Sequence, residues 1–309
     1  MGRLATRVLH DHTVTACALF ALLAATLAAQ ESRPPAVPPG ELVRLAVANE
    51  VKAAHTSTVK HMFRSHKQTP KGSQTKLYIE TDDAIAAMLI AIDDHPLTSQ
   101  QQQGEAGHLG WLLDNPDQLR KKQAREKEDT ERTLRILKAL PDAFRYEYDG
   151  TINQERGLGA SAPLARLKFK PDPSYSPPSR VEQALTGMEG YLLIDTASRR
   201  LARIDGTLFR DVTFGWGLVG RLDKGGRFVV QQADVGDGDW EITEMRLNIT
   251  GKLLLFKSLS MVSDEVFSDF RRVPDSLPFG QGVKLLQAEQ AKLASTTHSE
   301  TTDAKKIPQ

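Results

Sequence analysis

The residues of this chain best suited to metal binding or covalent chemistry are its eight histidines and one cysteine, and their spacing argues against both. Six histidines lie beyond residue 29, at 55, 61, 66, 95, 108 and 298, and none belongs to the helical His-Glu-x-x-His pair that holds a catalytic zinc. His61 and His66 stand five apart on an expected strand, an odd separation that sends them to opposite faces, and all six read as surface residues. Cys17 is the sole cysteine, so a structural zinc site has no thiolates to draw on. Asp234, Asp237 and Asp239 could seat a hard cation through oxygen ligands. Their spacing does not match a calcium loop, however, and Asp and Gly are what a hairpin turn requires. No Gly-x-Ser-x-Gly elbow, Ser-x-x-Lys pair or phosphate loop is present, and Gly157-Leu-Gly159 alone carries no nucleotide signal. Acids are spread over the chain without a pair that can be nominated as acid and base. The expectation is a protein that is not an enzyme and holds neither metal nor cofactor.

Phe214-Gly-Trp-Gly-Leu218 stands apart from this background. On a strand, alternation puts Phe214, Trp216 and Leu218 on one face and Gly215 and Gly217 on the other. Two bare Cα positions let a helix, a sharp coil of the sheet or an apolar ligand approach the backbone.

The elements that must position these residues are mainly strands. Between residues 188 and 271, apolar runs at 191–195, 200–205, 208–222, 227–235, 240–250 and 253–262 are separated by short Gly/Asp turns. That pattern means consecutive hairpins and a meandering antiparallel sheet, with no room for the helical crossovers of a parallel one. Upstream, residues 41–54 have helical spacing of apolar positions. A hairpin follows around Thr69-Pro-Lys-Gly72, then a strand at 84–92 and a polar loop at 100–103. Residues 120–133 carry six basic and four acidic side chains and form a solvated helix, docked by Leu134, Leu137 and Leu140 and stopped by Pro141. Strands at 144–148 and 164–170, a short helix at 180–186 and a closing amphipathic helix at 281–293 complete the reading.

The ends describe export. Arg3 and Arg7 precede an uncharged apolar run from 13 to 29, the layout of a cleaved secretory signal at residues 1–29. A Pro-rich spacer fills 30–40, a single domain 41–294, and a Ser/Thr/Lys-rich tail 295–309 is expected to be disordered. Cleavage removes Cys17 and leaves acids and bases in balance. The exported chain then has no disulfide and no global attraction to nucleic acid, and no transmembrane segment remains. The expected location is periplasmic, with an extracellular one as the alternative.

The strands carry a resemblance. Tyr191-Leu-Leu-Ile-Asp195 through Arg200-Leu-Ala-Arg-Ile-Asp-Gly206, Asp211-Val-Thr-Phe-Gly-Trp-Gly217, Leu222-Asp-Lys-Gly-Gly226, residues 240–251 and Val266-Phe-Ser-Asp-Phe-Arg271 resemble the LolA-like superfamily of outer-membrane lipoprotein-sorting carriers. The resemblance spans residues 187–273. It implies an α+β, mainly antiparallel fold, an incomplete (half) β-barrel wrapped over a few helices, with an apolar cavity that shields acyl chains without covalent chemistry. The expected partner is a lipid acyl chain or lipoprotein. The cavity-lining candidates, chosen as inward-facing Met and aromatic residues, are Met62, Tyr78, Met88, Tyr146, Phe214, Trp216, Trp240 and Met245. The alternative is a cell-envelope interaction or sensor module whose sheet is filled by its own side chains, with the charged helix 116–139 contacting an envelope protein.

Overall fold

The computed structural model describes residues 37–153, 157–160, 162–215, 219–253 and 257–304. The expected signal, most of the spacer, and Trp216 lie outside these residues. Pro39 sits in the first turn of α1 (Pro39–Thr56), where its missing N–H costs nothing. Leu42, Val43, Ala46, Val47 and Glu50 recur at helical spacing and form its buried face.

β1 (Lys60–Thr69) and β2 (Gly72–Ile79) make the expected hairpin, and β3 (Ala86–Ile92) and the two-residue β4 (His95–Pro96) continue outward. The expected loop at residues 100–103 is instead inside a helix, α2 (Ser99–Asp114). Thr98 and Gln101 form a reciprocal capping box at its start, so the polar Gln run is the first turn of a helix. α3 (Pro116–Ala143) holds the charged segment and runs past Pro141, ending within the same turn. Its solvent face carries i,i+3 and i,i+4 pairs such as Arg132 with Asp129 and Glu128.

α3 is not solvated throughout: Glu126 accepts a hydrogen bond from Ile85 N–H at 3.0 Å, and Glu105 of α2 accepts one from Leu89 N–H at 3.0 Å. Helical carboxylates thus satisfy backbone donors beside and within β3, which would otherwise stand open near the edge of the sheet.

β5 (Phe144–Ile152), β6 (Leu164–Pro171), the short α4 (Arg180–Gln183) with a following 3₁₀ turn, β7 (Met188–Asp195) and β8 (Leu201–Leu208) come next. The single long strand expected over 208–222 is broken. β9 (Val212–Phe214) and β10 (Gly220–Leu222) pair with each other, and Gly215 starts the turn at φ 55°. Gly215 therefore serves a reversal in the left-handed region, where a side chain is disfavoured, and does not present a bare strand face. β11 (Arg227–Asp234), β12 (Trp240–Leu253) and β13 (Lys257–Val273) finish the meander, and α5 (Phe279–Ala304) closes the chain, continuing past Leu293 into the stretch read as a tail.

The sheet order is β4-β3-β2-β1-β13-β12-β11-β8-β7-β6-β5, with the β9–β10 arm attached through β12. Every pairing between these strands is antiparallel, and the sheet is open, so the fold is α+β and an incomplete barrel. Directly opposed residues share a face, and Lys67, Glu265, Met245, Val230, Ile204, Leu192 and Leu167 form one row across seven strands. Leu167, Leu192 and Ile194 of this face pack under Leu42, Val43 and Val47 of α1 and Leu140 of α3, giving one core. Met62, Leu77, Ile79 and Met88 point to the other face and pack with Leu109 and Leu112 of α2 and Val283 and Leu286 of α5, giving a second. The two halves of the sheet are covered on opposite sides.

Candidate functional site

The structure disperses the expected cavity lining. Met62 and Met88 are buried together in the second core and have no free surface to offer. Tyr146 packs against the first core and donates its hydroxyl proton to the Leu140 carbonyl at 2.7 Å; burial holds its pKa well above the ordinary phenol range. Phe214, at the end of β9, packs on the same core. Trp240 packs on a small third cluster of Leu158, Leu164, Leu193 and Ala202, with the Arg200 guanidinium 5.3 Å from its ring centroid.

Tyr78 and Met245 are brought to a common face, and with them comes an apolar strip that the sequence did not single out. Tyr78 stands opposite Phe63 and stacks on it with centroids 5.3 Å apart. Phe63 also stacks on Phe270 at 5.3 Å and meets Phe267 edge-on at 6.1 Å. Met245 and Val230 continue the strip across β12 and β11, and all six side chains are half-buried. None of the six belongs to either helix-covered core. Polar groups interrupt the strip on its central strands: Ser65 donates at 2.5 Å to the buried carboxylate of Glu265, which lies opposite Met245, and Lys67 reaches it at 3.1 Å. Burial, with Glu265 adding to it, raises the Tyr78 pKa, so this hydroxyl stays neutral.

The opposite face is wet and charged. A cleft of about 950 Å³ is lined by Arg145, Arg166, Lys168, Lys170 and Tyr191, and a second of about 550 Å³ by Arg203, Arg227, Arg246 and Asp264. Most of these charges are internally paired. Asp149 bridges Arg166 and Lys168 at 3.2 and 2.5 Å, and Arg227 grips Asp205 through two bonds of 2.9 and 2.7 Å.

The expectation that the histidines are surface residues fails at His61, which is 3% exposed. Its Nδ1 lies 3.1 Å from Glu241 and 3.9 Å from Glu80, and its Nε2 3.5 Å from Asp239. Residues 61 and 80 lie far in sequence from 239 and 241, and only the pairing of β1 with β2 and the path of β12 assemble the four. Alternation could have put His61 and Glu80 on paired strands; nothing local pointed to Glu241.

No protein-family model and no curated protein matches the chain. Among solved structures, the chain is similar to a candidate outer membrane lipoprotein-sorting protein domain from Vibrio parahaemolyticus, at 9% identity and a TM-score of 0.30, covering 78% of this chain and 97% of that one. It is also similar to a DUF1329 family protein from Desulfovibrio piger, at 11% identity and a TM-score of 0.24, covering 76% and 93%. Both scores are too low to bear on what the chain does.

Proposed function

We propose that this is a non-catalytic binding protein, exported by residues 1–29 to the periplasm, that holds an acyl chain or a lipoprotein on the apolar strip of its half-barrel. The observation that carries this reading is the strip itself: Phe63, Tyr78, Val230, Met245 and Phe267 on one face of the central strands, half-buried and outside both helix-packed cores. It crosses β11, β12, β13, β1 and β2, four inter-strand spacings or about 19 Å. An alkyl chain laid along it gains about 0.8 kcal/mol for each CH₂ withdrawn from water. The Ser65–Glu265–Lys67 trio beside Met245 suits an amphiphile with a polar head. No helix among the described residues is long and apolar enough to cross a membrane.

Native mass spectrometry of the mature protein purified from the periplasm, followed by solvent extraction, tests the proposal. Co-purifying lipid that is lost in Met245→Asp and Phe267→Asp, with the circular dichroism spectrum retained, is the expected result. A bare protein that also fails to take up a fluorescent fatty acid overturns it.

A further inference from the structure

His61 lies beside Phe63 on β1, and its Nδ1 is among the few buried side-chain polar atoms of the described residues that lack a hydrogen-bond partner. Glu241 Oε1 is only 3.1 Å away, but the contact lacks the direction a hydrogen bond needs. An imidazole nitrogen buried among carboxylates without a bond is an unfilled coordination direction.

The rest of the ring explains which nitrogen is free. Asp239 faces Nε2 at 3.5 Å, so it can hold the ring proton there when Nδ1, which faces Glu80 and Glu241, takes an ion. Arg272 anchors Asp239 through its Nε at 2.6 Å and its Nη2 at 2.5 Å. This is the arrangement by which a carboxylate orients a metal-ligating histidine from behind. Phe270 closes one side, edge-on to the imidazole at 6.1 Å, and limits access of water. Glu80 is fixed by accepting the His61 backbone N–H at 2.7 Å.

Charge supplies a second, separate argument. Arg272 pairs with Asp239, whereas neither Glu80 nor Glu241 makes an ion pair with an Arg or Lys among the described residues. The cations nearest to them are engaged elsewhere: Arg200 binds Glu50 through two bonds of 2.8 Å, and Lys60 binds Asp82 at 2.8 Å and the Asp275 carbonyl. Burial, with Glu80 and Asp239 beside it, pushes the Glu241 pKa up to about 7, and burial likewise raises that of Glu80.

We propose that His61, Glu80 and Glu241 bind one divalent transition-metal ion, with Asp239 holding the imidazole in the ligating tautomer. One ligand atom from each of the three residues lies within 4.8 Å of the others. Ligands about 2.1 Å from a shared ion stand about 3–4 Å apart, so small side-chain rotations close the site. One imidazole with two carboxylates suits Zn²⁺ or Mn²⁺ better than Ca²⁺ or Mg²⁺, which take oxygen alone. The ion would clamp the start of β12 to the β1–β2 hairpin, and this is independent of whether a lipid occupies the strip.

The test is equilibrium dialysis and calorimetric titration of the untagged full chain, stripped with EDTA, against ZnCl₂, MnCl₂ and CaCl₂ separately. One ion per chain is expected for at least one of Zn²⁺ and Mn²⁺. Glu241→Gln and Glu80→Gln, both close to isosteric, should weaken binding by about ten-fold or more, and Asp239→Asn by about 10–100-fold with unchanged stoichiometry. Folding of each variant is checked by its thermal melt, so a loss of binding is not a loss of structure. No binding of either metal by the wild type overturns the proposal. So does equal affinity in Glu241→Gln, and so does binding of Ca²⁺ alone, which would leave the imidazole without a role.

Discussion

Two buried polar clusters lie near each other in this molecule and are built on opposite principles. In the first, Glu50 of α1 receives the Arg200 guanidinium through two parallel bonds of 2.8 Å and the Leu201 N–H at 2.9 Å. One carboxylate meets one planar cation that fits it, and the side chains are only 6% and 15% exposed. In the second, two carboxylates converge on one buried imidazole, and burial, with Glu80 and Asp239 beside it, raises the Glu241 pKa. Arg200 is close enough for Glu241 to feel its charge, yet its bonds go to Glu50. The difference teaches that a nearby cation does not neutralise a cluster once its donors are committed; geometry decides which acid it serves. The balanced cluster ties a helix to the sheet, and the unbalanced one is left poised for a ligand.

The comparison can be broken most sharply at Glu50. Glu50→Ala strands Arg200 and the Leu201 N–H, and urea denaturation should show a loss of about 3–5 kcal/mol. Replacing both partners, as Glu50→Leu with Arg200→Met, should recover most of that loss, because no charge is then left buried alone. At the unbalanced cluster the sign should reverse. With chelator at pH 8, Glu241→Gln removes a like charge and should raise stability by about 1 kcal/mol; a loss comparable to that at Glu50 would show that the cluster is already satisfied.

A smaller effect is expected at Asp205 on the charged face. Burial pushes its pKa up, but the Arg227 fork and Tyr191 outweigh that and hold it below the ordinary value. A carboxylate with a depressed pKa stabilises the fold above its unfolded pKa of about 4 and loses that contribution as pH falls through the folded value. Asp205→Asn should therefore cost about 1 kcal/mol or less at neutral pH, with the gap to wild type closing in acid. Smallest of all, Glu128→Gln on the solvent face of α3 should shift stability by no more than about 0.5 kcal/mol.

The strands from 188 onward were legible because antiparallel hairpins are written locally, in turn residues at 195–199, 223–226 and 234–239 and apolar runs between them. The errors fell where local signals were ambiguous. The Gln run at 100–103 looks like a loop until Thr98 and Gln101 are recognised as a capping box. Phe214-Gly-Trp-Gly looks like strand until Gly215 adopts a positive φ. The candidate site was less legible. Alternation correctly separated His61 from His66, yet it assigns a residue to a face without saying what covers that face. Met62 and Met88 were chosen as ligand-facing and instead meet α2 and α5.

From the sequence alone came the class of element at most positions, the antiparallel meander, the absence of any recognised catalytic motif and the balance of charge, because each depends on neighbours within a few residues. Only the tertiary structure decided that the two halves of the sheet are covered on opposite faces, leaving an apolar strip between them. It alone brought His61, Glu80, Asp239 and Glu241 within a few ångströms of one another. Both outcomes depend on strand order and register, which join residues nearly two hundred positions apart, and no local pattern of residue types encodes which distant charge will find a partner already taken.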